Sequence, residues 1–493
     1  MPLTDEQRSV VGSDASILKV NAVAGSGKTT TLLEFAAHHP QFKILYLAYN
    51  KSVAVEMREK AKVRGLGNLT VYTIHALAYR HANGHSYELE NDLSEWRILD
   101  QYVPLTFRGT DQGILYAWLL KDILNFYLNA ELTRLDAELL AAYEAATLPT
   151  EELRTLLTLR GDEMIILVKN ILADMKNRKS PAVHDFYLKM FQFGKVYLPY
   201  DVILVDEAQD TSGVMLSIIK RQEHAKRIFV GDSYQQIYAF RHAVNSLDKV
   251  AGESLWLSQT FRFGDGLARQ ISQRVNQGYE LLGETPEFKM RGMDMDTRFG
   301  NRAYKGKYPM AVIARSNLSL FDAVLGHLFG KGARTMHFEG GYPGYSFMNP
   351  RVAGLLYLKE EKRDKINDPL VKKFKSFEDA KRFANDTQNH SLTTMVDLVT
   401  RYGGKLFDFD QKIKKRLVDK PEAELIFTTT HKAKGQEYDI VEMVKNDFAT
   451  RSDISKQLNS DREDVSLARL KEEINVYYVA ATRGKKSVTL AEF

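Results

Sequence analysis

The sequence predicts an α/β protein with two parallel-sheet domains, each carrying a mainly helical insertion. Three observations predict it. Short apolar runs alternate with helical patterns toward both ends of the 493-residue chain, which is how parallel sheets covered by helices on both faces are encoded. A Gly-rich phosphate-loop pattern, Ala24-Gly25-Ser26-Gly27-Lys28-Thr29, joins the first such strand to the first such helix. A long stretch with few β-branched runs, residues 87–193, then interrupts the strand pattern before it resumes.

The elements follow in order. Residues 18–23 form an apolar strand candidate that enters the Gly-rich segment, and 32–37 read as a helix. Residues 43–48 are a second strand, 51–62 a helix, and 69–73 a strand leading into Ile74-His75. Between 87 and 193, periodic apolar and charged residues predict a helical insertion, clearest at 115–120 and 163–175. Strands return at 201–205 and 227–230, so the insertion divides one α/β domain. A second α/β region opens near Gly264, with a strand at 310–314 and a helix at 318–329. A Gly- and Tyr-rich turn lies at 340–344, and the charge-rich stretch 359–382 is expected to be helical, its mixed signs suiting a solvated face. A strand at 424–428, a helix at 467–481 and a strand at 487–490 complete the pattern.

Composition narrows the class. With 44% hydrophobic and 27% charged residues the chain is globular rather than disordered, and its length predicts about three or four compact units. No apolar run approaches the ~20 residues needed to span a bilayer. The opening residues, 1–10, carry two acids and no apolar stretch, so a cytoplasmic protein is expected, nucleoid-associated or in a host-cell cytosol. The absence of cysteine excludes disulfides, Cys-ligated zinc and iron–sulfur clusters. A net charge of +5 permits nucleic-acid binding without arguing for it.

The chemistry concentrates at two places. Gly25 and Gly27 let backbone N–H groups curl around phosphate oxygens, and the helix start adds its positive dipole end. Lys28 can reach β- and γ-phosphates, and Thr29 can offer a hydroxyl to Mg2+. Ala22 occupies the first Gly position of the full P-loop pattern. Asp206-Glu207 ends an apolar strand, where open α/β sheets bind ligands. Asp206 can hold Mg2+ through water, and Glu207 can orient and deprotonate an attacking water. The bland alternatives are a Gly-rich turn with an exposed Lys, and an acidic pair capping the next helix.

Asp206-Glu207-Ala208-Gln209-Asp210, Gly231-Asp232-Ser233-Tyr234-Gln235 and Thr482-Arg483 stand in an order that resembles the motifs of UvrD/Rep-like superfamily 1 DNA helicases. The resemblance runs from Gln7 to Arg483. Residues 44–52 and His431-Lys432-Ala433-Lys434-Gly435 are similar to the F-box DNA helicase subgroup, and a relative without an F-box is expected. The resemblance implies two RecA-like parallel-sheet P-loop domains. Residues 1–84 and 196–263 would form the first (1A), 85–195 its helical insertion (1B), 264–333 and 421–493 the second (2A), and 334–420 its insertion (2B). It also implies roles. Gln7 would read the adenine edge, and Phe261, replacing the usual Tyr, would stack on the base. Arg262 and Arg483 would reach the γ-phosphate, Gln235 would sense it, and Glu437 would contact the ribose. Gly25, Ser26, Gly27, Lys28, Thr29 and Thr30 would hold the phosphates, with Mg2+ on Thr29 and Asp206. Thr30 stands where many relatives carry an Arg that packs on adenine.

Single-stranded DNA is commonly held by aromatic stacking and backbone contacts. The candidates are Tyr49, Asn50, Thr73, His75, Tyr238, Phe240, Arg241, His431 and Lys432. Against this stand a core role for Tyr238 and Phe240 and a structural role for His75, and His242 replaces the usual Gly. The expected activity is ATP- and Mg2+-dependent 3′→5′ translocation on single-stranded and partly duplex DNA, with unwinding or protein displacement. A nucleotide-gated DNA-binding module with little processive movement is the alternative, and an RNA helicase a third reading. The second insertion looks shorter than in larger relatives, and, with ten residues following Arg483, no fused nuclease is expected. By the same resemblance the protein is expected to be a monomer, free of the membrane, with any protein partner on 1B or 2B.

Overall fold

The first sheet alternates its two faces residue by residue. Ile44, Tyr46, Val202 and Leu204 belong to one apolar core, while Leu45, Leu47, Ile203 and Val205 belong to another on the opposite face. Both faces are covered, which is why these strands read as unbroken apolar runs. In this computed structural model, which describes residues 2–238, 243–286, 288–300, 309–330, 332, 334–460 and 466–493, the sheet has six parallel strands. Their order is Glu253–Leu257, Ile17–Ala22, Lys226–Gly231, Val202–Val205, Ile44–Ala48, Leu69–Thr73. The strands preceding the Gly-rich loop, Asp232 and Asp206-Glu207 are therefore adjacent, and their C-terminal ends share one edge.

The second sheet repeats the plan: Arg298–Phe299, Gly484–Thr489, Tyr438–Met443, Met310–Ala314, Leu425–Thr429 and Met336–Phe338, all parallel. Helices Asp265–Leu281 and Leu467–Ala481 cover one face, burying Ile271, Val275, Ile474 and Tyr478 with Ile313 and Val441. The chain is thus α/β with two RecA-like sheets.

Between strands Leu69–Thr73 and Val202–Val205 the chain forms helices Glu95–Gln101, Asp111–Asn129, Ala137–Thr147, Glu151–Lys176 and His184–Gly194. Their core is continuous with that of helices Pro350–Lys359, Phe377–Asp386 and His390–Tyr402 from the second half. Thr150 Oγ1 donates to the Asp386 carbonyl at 2.8 Å, and Lys373 pairs with Asp100 at 3.3 Å. A cavity of ≈ 820 Å³ between them is lined by Phe107, Leu159, Arg160, Lys373 and Phe383, away from the phosphate loop. Among the described residues no helix is long and apolar enough to cross a membrane.

The structure departs from the sequence pattern at several places. Residues 359–382 do not form one helix. The chain leaves a helix at Lys359, passes through short 3-10 turns at Arg363–Lys365 and Val371–Lys373, and re-enters a helix at Phe377, capped by Ser376 on the Asp379 N–H at 3.1 Å. Pro369, which disfavours helical conformation in the residue before it, explains the break. Four strands of the two six-stranded sheets carried too weak a signal to be read: Glu253–Leu257, Arg298–Phe299, Met336–Phe338 and Tyr438–Met443. Asp439 and Glu442 interrupt the last; Asp439 is met by Lys486 at 2.7 Å. Met336–Phe338 lies within 334–420, yet it pairs with Leu425–Thr429 as the edge of the second sheet.

Leu120 is fully buried in the helical insertion. Leu120→Ala should remove about 2–5 kcal/mol from that unit, read as a lowered first melting transition by calorimetry.

Candidate nucleotide site and nucleic-acid track

The Gly-rich loop is shaped by left-handed backbone and close neighbours. Gly25 and Gly27 have φ of +73° and +79°. A Cβ on Gly25 would lie 2.7 Å from Thr260 Oγ1 and 2.9 Å from Arg262 Cβ. Helix Lys28–His38 starts at Gly27 with no side chain capping it, which leaves its first N–H groups to a ligand. Ser26 Oγ is buried and, among the described residues, has no hydrogen-bond partner. A phosphate chain fits this cradle.

Lys28 and Glu207 face each other across the sheet edge, Nζ to Oε1 at 2.8 Å. Glu207 is itself left-handed, φ +50°, an uncommon conformation for a non-glycine residue that marks the turn after the strand. Burial acts to pull Lys28 down, but the charges of Glu207 and Asp206 raise it above its ordinary value. Burial acts to raise Glu207, and Lys28 and Lys434 outweigh it, so this carboxyl stays ionised. Asp206 moves the other way, raised by burial and by the Glu207 charge. Its Oδ2 accepts from Tyr46 OH at 2.6 Å and its Oδ1 from the Glu207 N–H at 3.0 Å. A divalent cation beside Asp206 would offset both the burial and the neighbouring charge. One carboxylate, the half-buried Thr29 next to Lys28 and phosphate oxygens make a donor set that suits Mg2+. Thr30 is exposed.

The facing wall is basic. Arg262, on strand Gln259–Gly264, donates to the Thr482 carbonyl at 2.7 Å and to Glu437 Oε1 at 2.6 Å. Arg483 is 2% exposed, so its charge is almost wholly desolvated. It donates to the Val479 carbonyl and Thr482 Oγ1, and among the described residues no carboxylate pairs with it. Burial first, then the neighbouring Arg262, hold its guanidinium down to about 9. An uncompensated buried cation is costly, and an anionic ligand would relieve it. Burial pushes Glu437 up, but Arg262 keeps it below the usual carboxylate range. A third wall is apolar and amide: a Cβ on Gly27 would lie 3.0 Å from Gln7 Nε2 and 3.5 Å from the Phe261 ring. Gln7 is buried and fixed by a capping box with Thr4.

Several residues of this network carried no assigned role in the sequence reading: Tyr46, Gln209, Asp210, Asp232, Lys434 and Tyr478. Gln235 Nε2 donates to Asp232 Oδ2 at 2.7 Å. Lys434 Nζ donates to Asp210 Oδ2 and, at 2.6 Å, to the Gln235 carbonyl, and lies 4.8 Å from the Tyr238 ring centroid. Burial lifts Asp210 to about 6 despite Lys434. For Gln209, Asp210, Asp232 and Lys434 the available signal was position, inside the segments 206–210, 231–235 and 431–435; Tyr46 and Tyr478 carried none.

The track candidates divide. Tyr49 and Tyr238 stack at 6.2 Å, and Tyr238 OH donates to the His431 carbonyl at 3.0 Å. His431 Nε2 lies 3.1 Å from the Ile237 carbonyl, and burial, then Arg315, hold its ring down to about 4, so it is neutral. Lys432 donates to the Gly344 carbonyl at 2.8 Å and sits over the Tyr345 ring. Asn50 and Thr73 cap helices through their side-chain oxygens, at 2.9 and 3.1 Å. His75 turns to the helical insertion, Nε2 3.0 Å from Asp185 Oδ1. Phe240 and Arg241 lie outside the described residues.

Two RecA-like sheets with a phosphate loop, a strand-end acid pair and a buried arginine define a P-loop nucleotide-binding protein. Comparison narrows this further. Residues 3–249, half of the chain, match the UvrD/REP helicase N-terminal domain, and 359–492 match the UvrD-like helicase C-terminal domain. The chain belongs to the UvrD/Rep helicase family. It is similar to F-box DNA helicase protein 1 of Schizosaccharomyces pombe, 29% identical over 99% of this chain and 57% of that protein. F-box DNA helicase 1 of Gallus gallus is 26% identical over 99% and 49%, and DNA helicase IV of Escherichia coli 29% over 56% and 47%. The chain therefore spans about half the length of these relatives.

Gly27→Ala forces a Cβ into left-handed backbone at a strain of about 1–2 kcal/mol. It should weaken binding of a fluorescent ADP analogue about tenfold, measured by titration, with circular dichroism unchanged.

Proposed function

We propose that this chain is an ATP-dependent DNA helicase whose hydrolysis cycle drives 3′→5′ movement along single-stranded DNA, with duplex unwinding or displacement of bound proteins as its output. The observation that carries this reading is the composite phosphate site, in which Lys28 and Glu207 at the first sheet face Arg483 at the second, with Arg262 bonded to the Thr482 carbonyl between them. ATP is the substrate and Mg2+ the cofactor; when bound, the cation supplies positive charge to the phosphate oxygens. A triphosphate entering the loop competes for Lys28 and releases Glu207. The ionised Glu207 then orients the attacking water and takes its proton. Arg262 and Arg483 meet the charge that spreads over the γ-phosphoryl group. Loss of that group removes the anion holding the two sheets together, so the cleft relaxes and the strand contacts shift.

The 3′→5′ direction and the DNA substrate rest on family resemblance, as do the ribose contact of Glu437 and the track formed by Tyr49, Tyr238, Phe240, Arg241, His431 and Lys432. Asn50, Thr73 and His75 enter as supports of that track, since their side chains are engaged in caps and an ion pair. We also infer a cytoplasmic monomer, with 1B or 2B as the place for a protein partner.

ATPase and unwinding assays on 3′-tailed, 5′-tailed and forked DNA test the reading. DNA-stimulated hydrolysis with unwinding from the 3′ tail is expected, and unwinding from the 5′ tail alone would reverse the polarity. Hydrolysis without movement in a stopped-flow translocation assay would favour a nucleotide-gated binding module. Lys28→Ala should lower kcat by about a hundredfold or more while DNA binding, read by fluorescence anisotropy, persists.

A further inference from the structure

Tyr478 lies on helix Leu467–Ala481, in the second half of the chain, yet its hydroxyl is built into the first sheet's edge. It donates to Asp232 Oδ2 at 2.7 Å and accepts from the Ala24 N–H at 2.9 Å. The hydroxyl is buried, and burial and the Asp232 carboxylate hold it well above its ordinary pKa, so it acts as a neutral donor.

The chain of bonds continues inward. The Asp232 N–H donates to Gln209 Oε1 at 3.0 Å, and Gln209 Nε2 donates to Glu207 Oε2 at 2.6 Å. Gln209 is fully buried. Its amide has one workable orientation: flipped, it would set its NH2 against the Asp232 N–H and its oxygen against the Glu207 carboxylate. A Cβ on Gly231 would lie 2.3 Å from Gln209 Oε1, so the glycine makes room for the amide. On the other side Gln209 Nε2 reaches Asp210 Oδ2 at 3.3 Å, the oxygen that also receives Lys434.

We propose that Tyr478 is a positioning residue that aims Glu207 through Asp232 and Gln209, so that the base is correctly placed only while the second sheet is docked on the first. This deepens the helicase reading and rests on it. The tyrosine ring packs against Phe288 at 5.2 Å and Tyr234 at 6.5 Å. Phenylalanine preserves those contacts and removes only the hydroxyl.

The test compares wild type, Tyr478→Phe, Gln209→Leu and the double variant, in the full chain with single-stranded DNA. In Tyr478→Phe, kcat should fall about tenfold, the worth of one hydrogen bond to a charged group. The KM for ATP, the Kd for a fluorescent ADP analogue and the melting temperature should stay near wild type. The double variant should lose no more than Gln209→Leu alone, because both substitutions cut one chain. Should Gln209→Leu not fold, Gln209→Asn, which shortens the amide, takes its place. An unchanged kcat, a loss confined to KM and nucleotide affinity, or losses that multiply in the double variant would each overturn the proposal. Wild type lacking DNA-stimulated hydrolysis would overturn the helicase reading, and this proposal with it.

Discussion

A buried set of opposite charges governs the boundary between the two sheets. Lys28 touches Glu207, Asp206 and Asp232 stand beside them, and Arg483 is desolvated next to Arg262. Taking such groups out of water costs several kcal/mol per ion before their attraction is counted. A core built for stability alone would replace them with apolar side chains. The strands leading to this edge, Val202–Val205 and Ile44–Ala48, are apolar throughout apart from the Tyr46 hydroxyl that meets Asp206. In these two strands the polar groups therefore gather at the edge where the strands end.

The same edge explains where the backbone is left-handed. Gly25, Gly27 and Glu207 all have positive φ, within two turns that lie two strands apart. In the loop, glycine carries this at little cost and exposes N–H groups. At Glu207 a longer side chain carries it, and the result is a carboxylate turned onto Lys28. The second half of the chain shares apolar core here with Val23, Ala24 and Ile237, and adds polar contacts: Tyr478 on Asp232, Lys434 on Asp210, and the Thr482 carbonyl on Arg262. Directional bonds of this kind register domain position far more sharply than apolar packing, which tolerates sliding.

Legibility in the sequence followed local signal strength. Leu69–Thr73, Met310–Ala314 and helix Leu467–Ala481 matched their expected bounds to the residue, because apolar run length and periodicity mark them directly. Arg298–Phe299 and Met336–Phe338 were invisible, being too short for any period to develop and held by pairing with strands distant in sequence. The charge-rich stretch was misread because composition suits a helix while Pro369 and the capping Ser376 divide it. In the site, Lys28, Asp206 and Glu207 stood out through the Gly-rich loop and the strand-end acid pair, and Arg483 through the family resemblance; the fold brings Lys28 onto Glu207 beside Asp206. Tyr478 and Tyr46 were not, since a tyrosine in an apolar element looks like core until its hydroxyl is seen to end on a carboxylate.

Sequence alone determined that there are two parallel-sheet units, that a helical insertion divides the first, and where a Gly-rich loop and a strand-end acid pair stand. These are local or periodic properties, written in neighbouring residues. Tertiary structure decided which strands lie side by side, that His75 pairs with Asp185 while Tyr238 stacks on Tyr49, and that Gln209 joins Glu207 to a hydroxyl from the far end of the chain. Such pairings depend on the approach of segments as much as 454 residues apart, and only the packing of two covered sheets against each other brings those segments within hydrogen-bond reach.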